Sequence, residues 1–459
     1  MPLLLAIGHE FQLGSYLGPP LAFWLGEAAF RIAGAPGVYV LAQACIVVAY
    51  WAVFTLGRGI VGTRHAVLAV LLMVGVAAFT VPSPDFGPAV LAAPLWALAL
   101  LHYWRAVGEG RRGYWFLLAL DSGLLLLTNY IGLILVALIA LFTLAAAPGR
   151  RALRHPEPWV ALVLVVIVVF PHVWWLYDMH PLVLSGFEDG IAAGQMHPGL
   201  RLALVLIAAI LGLLLVVFLT SGFPRPPRAR APEIDRAPVA PLARGFVYVF
   251  ALVPPLVAVA LAAAFGRLGP LGALASAAPL LLLIGLAVIV AAGDRVPLYR
   301  ERLVSMTWLA LMVVPPALVV AGIVVLPWVA SVDPKVMQPA REQGRFFAET
   351  FERRTGQPLM YVSGDPRIAP LIALGARRRP HVYFAWAPER SPWASADDLR
   401  RHGAVLVWPA ADNRGAPPAD LKAQFPELVP EPPRSFARTM QGFLPLIRLG
   451  WSVMRPVAP

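Results

Sequence analysis

LRLALVLIAAILGLLLVVFLT (Leu200–Thr220), then SGFPRPPRARAPEIDRAPVAPLARG (Ser221–Gly245), then FVYVFALVPPLVAVALAAAFG (Phe246–Gly266) is the stretch whose reading decides the fold. Two apolar segments flank a connection that holds Arg225, Arg228, Arg230, Arg236 and Arg244. Each segment has the roughly 20 residues that a helix needs to cross a hydrocarbon core of about 30 Å. The connection is rich in proline and reads as irregular backbone. The same design repeats outward in both directions. Further candidate spans are Gly37–Gly57, His65–Pro82, Phe86–Trp104, Tyr114–Thr128, Tyr130–Ala147, Trp159–Leu176, Pro270–Ala292 and Leu303–Trp328, which makes ten in all. The connections after the first, third, fifth and ninth spans carry Arg58 and Arg64; Arg105, Arg111 and Arg112; Arg150, Arg151 and Arg154; and Arg295, Arg300 and Arg302. The intervening connections carry almost none; Arg201 and Arg267 stand at span edges. Basic loops stay in the cytoplasm, so residues 1–36 and everything after Trp328 are expected on the outer face.

The bulk composition agrees. Of the 459 residues, 59% are hydrophobic and only 14% charged. That much apolar surface suits a polytopic membrane protein, whose lipid-facing sides must be apolar as well. The net charge of +12 does not read as nucleic-acid binding. Much of it lies in the basic loops, where it sets topology and meets anionic lipid. The lone Cys45 excludes an intrachain disulfide and a cysteine-cluster metal site. Met1–Ile7 is apolar, too short to span and preceded by no basic residue, unlike a signal peptide. Because residues 1–36 are expected outside, a further helix is expected upstream of the sequence given.

Three regions follow. Residues 1–36 read as an outer loop in which Phe23, Trp24, Ala28, Phe30 and Ile32, interspersed with Glu27 and Arg31, suit a helix lying in the interface or a short linker. Residues 37–328 are the membrane bundle, with kinks expected at Pro254–Pro255 and Pro315–Pro316. Residues 331–459 alternate helix and strand: a helix over Met337–Arg354, strands at Leu359–Val362, His381–Phe384 and Ala404–Trp408, and a helix over Ala396–His402. That is a small α/β domain. Its apolar tail, Leu444–Val453, is expected to dock on the domain or on the membrane surface.

Polar groups at the outer surface are where chemistry belongs, because placing them near lipid is costly. Five clusters share that face. They are Gly8-His9-Glu10 with Gly14–Leu21; Ser83-Pro84-Asp85; Leu127-Thr128-Asn129-Tyr130; Pro171-His172 with Trp174, Trp175, Tyr177 and Asp178; and Glu188-Asp189. Each has a plainer reading. Asp85 suits a helix N-cap, His172 and the tryptophans an interfacial aromatic belt, Asn129 a tight turn, and Glu188-Asp189 a solvated loop. Asp121, within the fourth span, reads as packed against another helix.

The stretch Leu13-Gly14-Ser15-Tyr16-Leu17-Gly18-Pro19-Pro20-Leu21-Ala22-Phe23-Trp24-Leu25 resembles the first outer loop of the protein O-mannosyltransferase-like membrane glycosyltransferases, a superfamily that includes the lipid A aminoarabinose transferases. Ser83-Pro84-Asp85, Leu127-Thr128-Asn129-Tyr130 and Pro171-His172-Val173-Trp174 fall where that family has its motifs, and the C-terminal domain is similar to that of alphaproteobacterial members. The resemblance implies an α-helical integral membrane protein, a GT-C-type bundle of about ten spans with a small C-terminal periplasmic α/β domain, in a bacterial inner membrane. It implies transfer of a sugar from a polyprenyl-phosphate donor to an envelope glycan, lipid or protein acceptor. A carboxylate would serve as general base, and donors or cations would meet the departing phosphate. No cofactor is implied beyond the lipid-linked sugar, and metal dependence is left open. The expected acids are Glu10 and Asp85; the expected donor-phosphate or sugar contacts are Tyr16, Asn129, Tyr130 and His172. The chain departs from the family pattern in three ways. The family's catalytic Asp would fall at or before Met1. Gly18 stands where a His is usual, and Asn129 where a Lys is usual. A catalytically impaired relative that binds polyprenyl lipid or an envelope partner is the alternative.

Overall fold

In a computed structural model of the protein, the described residues are 1–81, 85–179, 196–220, 233–235, 237–265, 273–297, 301–329, 338–410, 415–440 and 442–457. Each of the ten apolar segments contains helix. A short α1 (Pro2–His9) precedes α2 (Leu21–Val61), α3 (Thr63–Val74), α4 (Pro88–Tyr103), α5 (Tyr114–Leu126) and α6 (Gly132–Ala145). Next come α7 (Ala147–Ala152), α8 (Glu157–Asp178), α9 (Pro198–Thr220), α10 (Pro241–Phe265), the pair α11 (Ala277–Leu280) and α12 (Ile284–Ala291), and α13 (Glu301–Val329). Among the described residues, six helices are long and apolar enough to cross a membrane, and the pair around Leu281–Leu283, bent by 50°, makes a seventh if taken as one span. The other three, α3, α5 and α6, have 12, 13 and 14 residues.

Helix α2 is broken at Ala33 and Gly34, where Gly34 takes φ +64°, a conformation that costs glycine little. Pro36 follows and cannot donate to the preceding turn. The aromatic stretch after Leu21 is therefore a helix of its own, ahead of the first apolar span. The kinks expected at the Pro-Pro pairs are not breaks: α10 and α13 run as unbroken helix through Pro254–Pro255 and Pro315–Pro316.

By backbone contacts the chain forms two units. One comprises Met1–Gln12, Phe23–Ala28 and Ala317–Pro459, the other Leu13–Ala22 and Ala29–Pro316. In the second unit, Tyr103, Phe142, Phe246 and Phe250 stack as a core cluster with ring centroids 4.9–6.3 Å apart. Asp121 is buried and 2.5 Å from His102 Nδ1 on α4, so it does pack against another helix.

The alternation of the loops reappears as contacts. Strands β1 (Glu233–Asp235) and β2 (Arg295–Pro297) pair antiparallel, joining the seventh and ninth connections. Arg112 Nη2 lies 3.1 Å from His155 Nε2, joining the third and fifth. At the opposite set, Leu21 N donates to Leu127 O at 2.9 Å, and His172 reaches Leu13 O at 2.7 Å. Basic connections meet basic ones, and arginine-poor ones meet each other.

The first unit holds α14 (Ala340–Thr355), β3 (Tyr361–Gly364), α15 (Ala369–Gly375), β4 (His381–Tyr383), α16 (Ala396–His402), β5 (Ala404–Pro409), α17 (Ala419–Gln424), β6 (Glu431–Phe436) and β7 (Ile447–Met454). The sheet order is β4-β3-β5-β7-β6, with β4, β3 and β5 parallel and the last two strands antiparallel. Ser395 and Asp398 form a reciprocal capping box that starts α16, the pattern expected of Ser-x-x-acid. The apolar tail joins the domain as a strand of its sheet. It is β7, paired along its length with β5, and its burial on both faces explains the absence of polar alternation.

Candidate functional site

Two polar clusters occupy the segments that the sequence singled out, one in each unit. In the second unit, the first loop closes on itself. Ser15 and Gly18 exchange backbone hydrogen bonds at 3.0 Å each, and Tyr16 in the turn between them is buried. His172, on α8, ties this loop to the bundle. Its Nδ1 is 2.7 Å from Leu13 O, and its Nε2 is 3.1 Å from Tyr130 Oη. A carbonyl can only accept, so Nδ1 carries the proton. In the neutral ring, Nε2 then accepts from the Tyr130 hydroxyl. The imidazole is sandwiched between Tyr130 and Trp175, each ring centroid 5.9 Å away. Gly14 packs so close to Trp175 that a Cβ there would fall 2.3 Å from the indole. Only glycine lets the loop lie on that ring.

Asn129 is used locally. Its Oδ1 accepts from Ile131 N at 3.1 Å, an Asx turn that ends α5 and starts α6. Asp85 is exposed just ahead of α4, but it is not the helix cap. Gly87 holds that place, and no side chain caps the helix. Ser83 and Pro84 beside it, and the polar pair Glu188-Asp189, lie outside the described residues. The structure thus brings Tyr130 and His172 together with the Leu13–Gly14 backbone, while Asn129 serves its own turn.

The first unit carries Glu10 and Glu27. Both Glu10 carboxylate oxygens are 2.9 Å from His381 Nδ1. Glu10 is 5% and His381 36% exposed at the side chain. The Glu10 carboxylate pushes the His381 imidazolium up from its ordinary range, by hydrogen bonding and by charge, against a smaller opposing effect of burial. Glu27, fully buried, accepts from Arg379 Nη1 at 2.9 Å on both oxygens and has His9 Nδ1 at 3.4 Å. Arg379 Nη2 also donates to Leu5 O at 3.1 Å. Arg379 itself has φ +48°, a left-handed conformation that a non-glycine residue adopts only when its surroundings hold it there. The Glu27 pair and the Leu5 carbonyl are what hold it.

Sequence reasoning found Glu10 but neither its partner nor the Glu27–Arg379 pair. Two signals pointed that way: an acid within the otherwise apolar start of α2, and the run Arg377-Arg378-Arg379-Pro380-His381. Among the described residues, no group of three or more His, Cys, Asp or Glu is arranged to hold a metal ion.

Comparison with known proteins meets this geometry. Residues 18–175 match the family described as dolichyl-phosphate-mannose-protein mannosyltransferase. No curated protein matches the chain by sequence. The crystal structure of ArnT from Cupriavidus metallidurans in the apo state aligns over 96% of this chain and 88% of its own, with a TM-score of 0.54 at 13% identity. ArnT from the same organism bound to undecaprenyl phosphate aligns over 98% and 92%, with a TM-score of 0.55 at 13% identity. At such identity the likeness is one of fold. The chain therefore has the fold of ArnT, a bundle of apolar helices with a small C-terminal α/β domain, and the segment from 18 to 175 matches the mannosyltransferase family. The matched segment contains Asp85, Asn129, Tyr130 and His172.

Proposed function

We propose that the protein transfers a sugar from a polyprenyl-phosphate donor to an envelope acceptor at the periplasmic face of a bacterial inner membrane. The observation that carries the reading is the His172 constellation, whose His172, Tyr130 and Trp175 lie in the family-matched segment. A neutral imidazole pins the first loop to Tyr130 at the end of α8, where Trp174 and Tyr177 are exposed as an interfacial aromatic belt would be. Such a place receives a lipid chain and the phosphate it carries. That ArnT is known bound to undecaprenyl phosphate supports the same class of donor here.

In this reading His172 and Tyr130 are positioning residues: they fix the loop that meets the donor. Asp85, an exposed carboxylate, is the candidate general base for the acceptor hydroxyl. Glu10 can take that role only when His381 releases it. The engagement of both Glu10 oxygens by His381 favours a second reading, a lipid-binding relative with little or no transfer activity.

Purified protein in nanodiscs, given a labelled polyprenyl-phosphate sugar and an envelope extract, distinguishes the two. Transfer abolished by Asp85→Asn supports the enzyme. Crosslinking of a photoactive polyprenyl phosphate to the segment around Tyr130 without any transfer supports the second reading. Neither transfer nor crosslinking overturns both.

A further inference from the structure

The described residues between β6 and β7, 437–440 and 442–446, present exposed apolar side chains where a water-facing hairpin would be polar. Phe443 is 74% and Leu446 61% exposed. The turn is not loose. Phe443 N donates to Pro327 O at 3.1 Å, on the last turn of α13. The Phe443 ring meets Trp328 edge-on at 5.3 Å. Gly442 rests on Pro327, and the Arg438 guanidinium closes the turn on the Pro445 carbonyl.

The helix to which it is tied is the least buried of the candidate spans among the described residues. Helix α13 leaves Leu309, Val313, Leu318, Val320 and Val325 exposed along its length, and none of its apolar window is buried in the protein. Such a helix needs hydrocarbon around it. Its end, Pro327–Val329, then lies at the membrane–water boundary. The hydrogen bond to Pro327 fixes Phe443 at that same level.

We propose that the β6–β7 turn is a membrane-surface foot. Phe443, Leu446 and Trp328 enter the boundary between lipid headgroups and acyl chains, and Arg438 and Arg448 lie at the level of the phosphates. Aromatic rings favour that boundary, and arginine beside apolar residues adds attraction to anionic lipid. The sheet then stands on the bilayer at two points, the end of α13 and this turn.

The full-length protein tests this in nanodiscs containing anionic lipid. In a Cys45→Ala background, Phe443→Cys and Leu446→Cys carry an environment-sensitive fluorophore, and Val429→Cys is the reference. Val429 is 73% exposed and precedes β6, so the length of that strand separates it from the turn. Nitroxide lipids labelled near the headgroup are expected to quench the probes at 443 and 446, and aqueous iodide the probe at 429. Equal iodide quenching at all three positions overturns the proposal. So does protection of 443 and 446 from both quenchers, which would mean that protein, such as a second copy, covers the turn.

Discussion

The His172 cluster and the Glu10–Glu27 cluster solve one problem in opposite ways. Both place polar groups in segments flanked by membrane helices. Around His172 the solution is neutral: a carbonyl, an imidazole and a phenol in series, packed between aromatic rings. Around Glu27 it is ionic: a fully buried carboxylate neutralised by a guanidinium that also reaches a backbone carbonyl. A neutral chain loses only hydrogen bonds when one member is removed. A buried ion pair leaves a bare charge behind. The two clusters should therefore fail by different amounts and respond differently to pH.

The largest effect is expected at Glu27. Arg379→Met removes the guanidinium that neutralises the buried carboxylate, leaves it the longer His9 contact, and should cost up to about 3–5 kcal/mol, measured as a lowered unfolding midpoint in detergent. Glu27→Met combined with Arg379→Met should recover much of that loss. A double variant no better than the single would show that the pair is not the cause.

A smaller loss is expected from His172→Phe, which orphans the Leu13 carbonyl and the Tyr130 hydroxyl. A buried group left unsatisfied costs about 1–3 kcal/mol. Tyr130→Phe, which removes only the donor to Nε2, should fall at the lower end. Proteolysis of the loop around Ser15 would report the freed segment directly.

The third expectation concerns pH. The His381 imidazolium is raised by Glu10, so the folded form binds the proton more tightly than the unfolded chain does. The stabilisation is fully present below the ordinary histidine value of about 6.5 and is lost as pH rises through the raised folded value. The stability gap between the protein and His381→Gln should therefore be widest in acid and close at alkaline pH. A gap that widens with pH would reverse the assigned charge state.

The smallest effect is expected at Asn129→Ala, which loses one turn bond worth about 0.5–1.5 kcal/mol. Sugar transfer should change little if Asn129 only shapes the turn. A large loss would restore it as a contact for the donor.

What was legible in the sequence follows from which interactions are local. Loop arginines set topology through charge alone, and the pairing of β1 with β2 respects the grouping they gave. The α16 helix was legible because Ser395 and Asp398 are three residues apart. Strand β6 was not predicted; it holds Pro432 and Pro433 and lies at the sheet edge with an irregular register, where proline is tolerated. The partners of Glu10 and Glu27 were beyond reach because they lie 371 and 352 residues away. No periodicity carries across such a distance.

The break in α2 acts as a ruler. The helix has 41 residues and, if straight, would be about 60 Å long, twice the roughly 30 Å of hydrocarbon it has to cross. Interruption at Ala33–Gly34 leaves about 40 Å of helix after the break, enough to span with its ends in the headgroups. The first three turns are released from the membrane's thickness altogether. Their length and direction are free to be set by what Phe23, Glu27 and their neighbours must touch, and a single backbone conformation at Gly34 separates those two requirements.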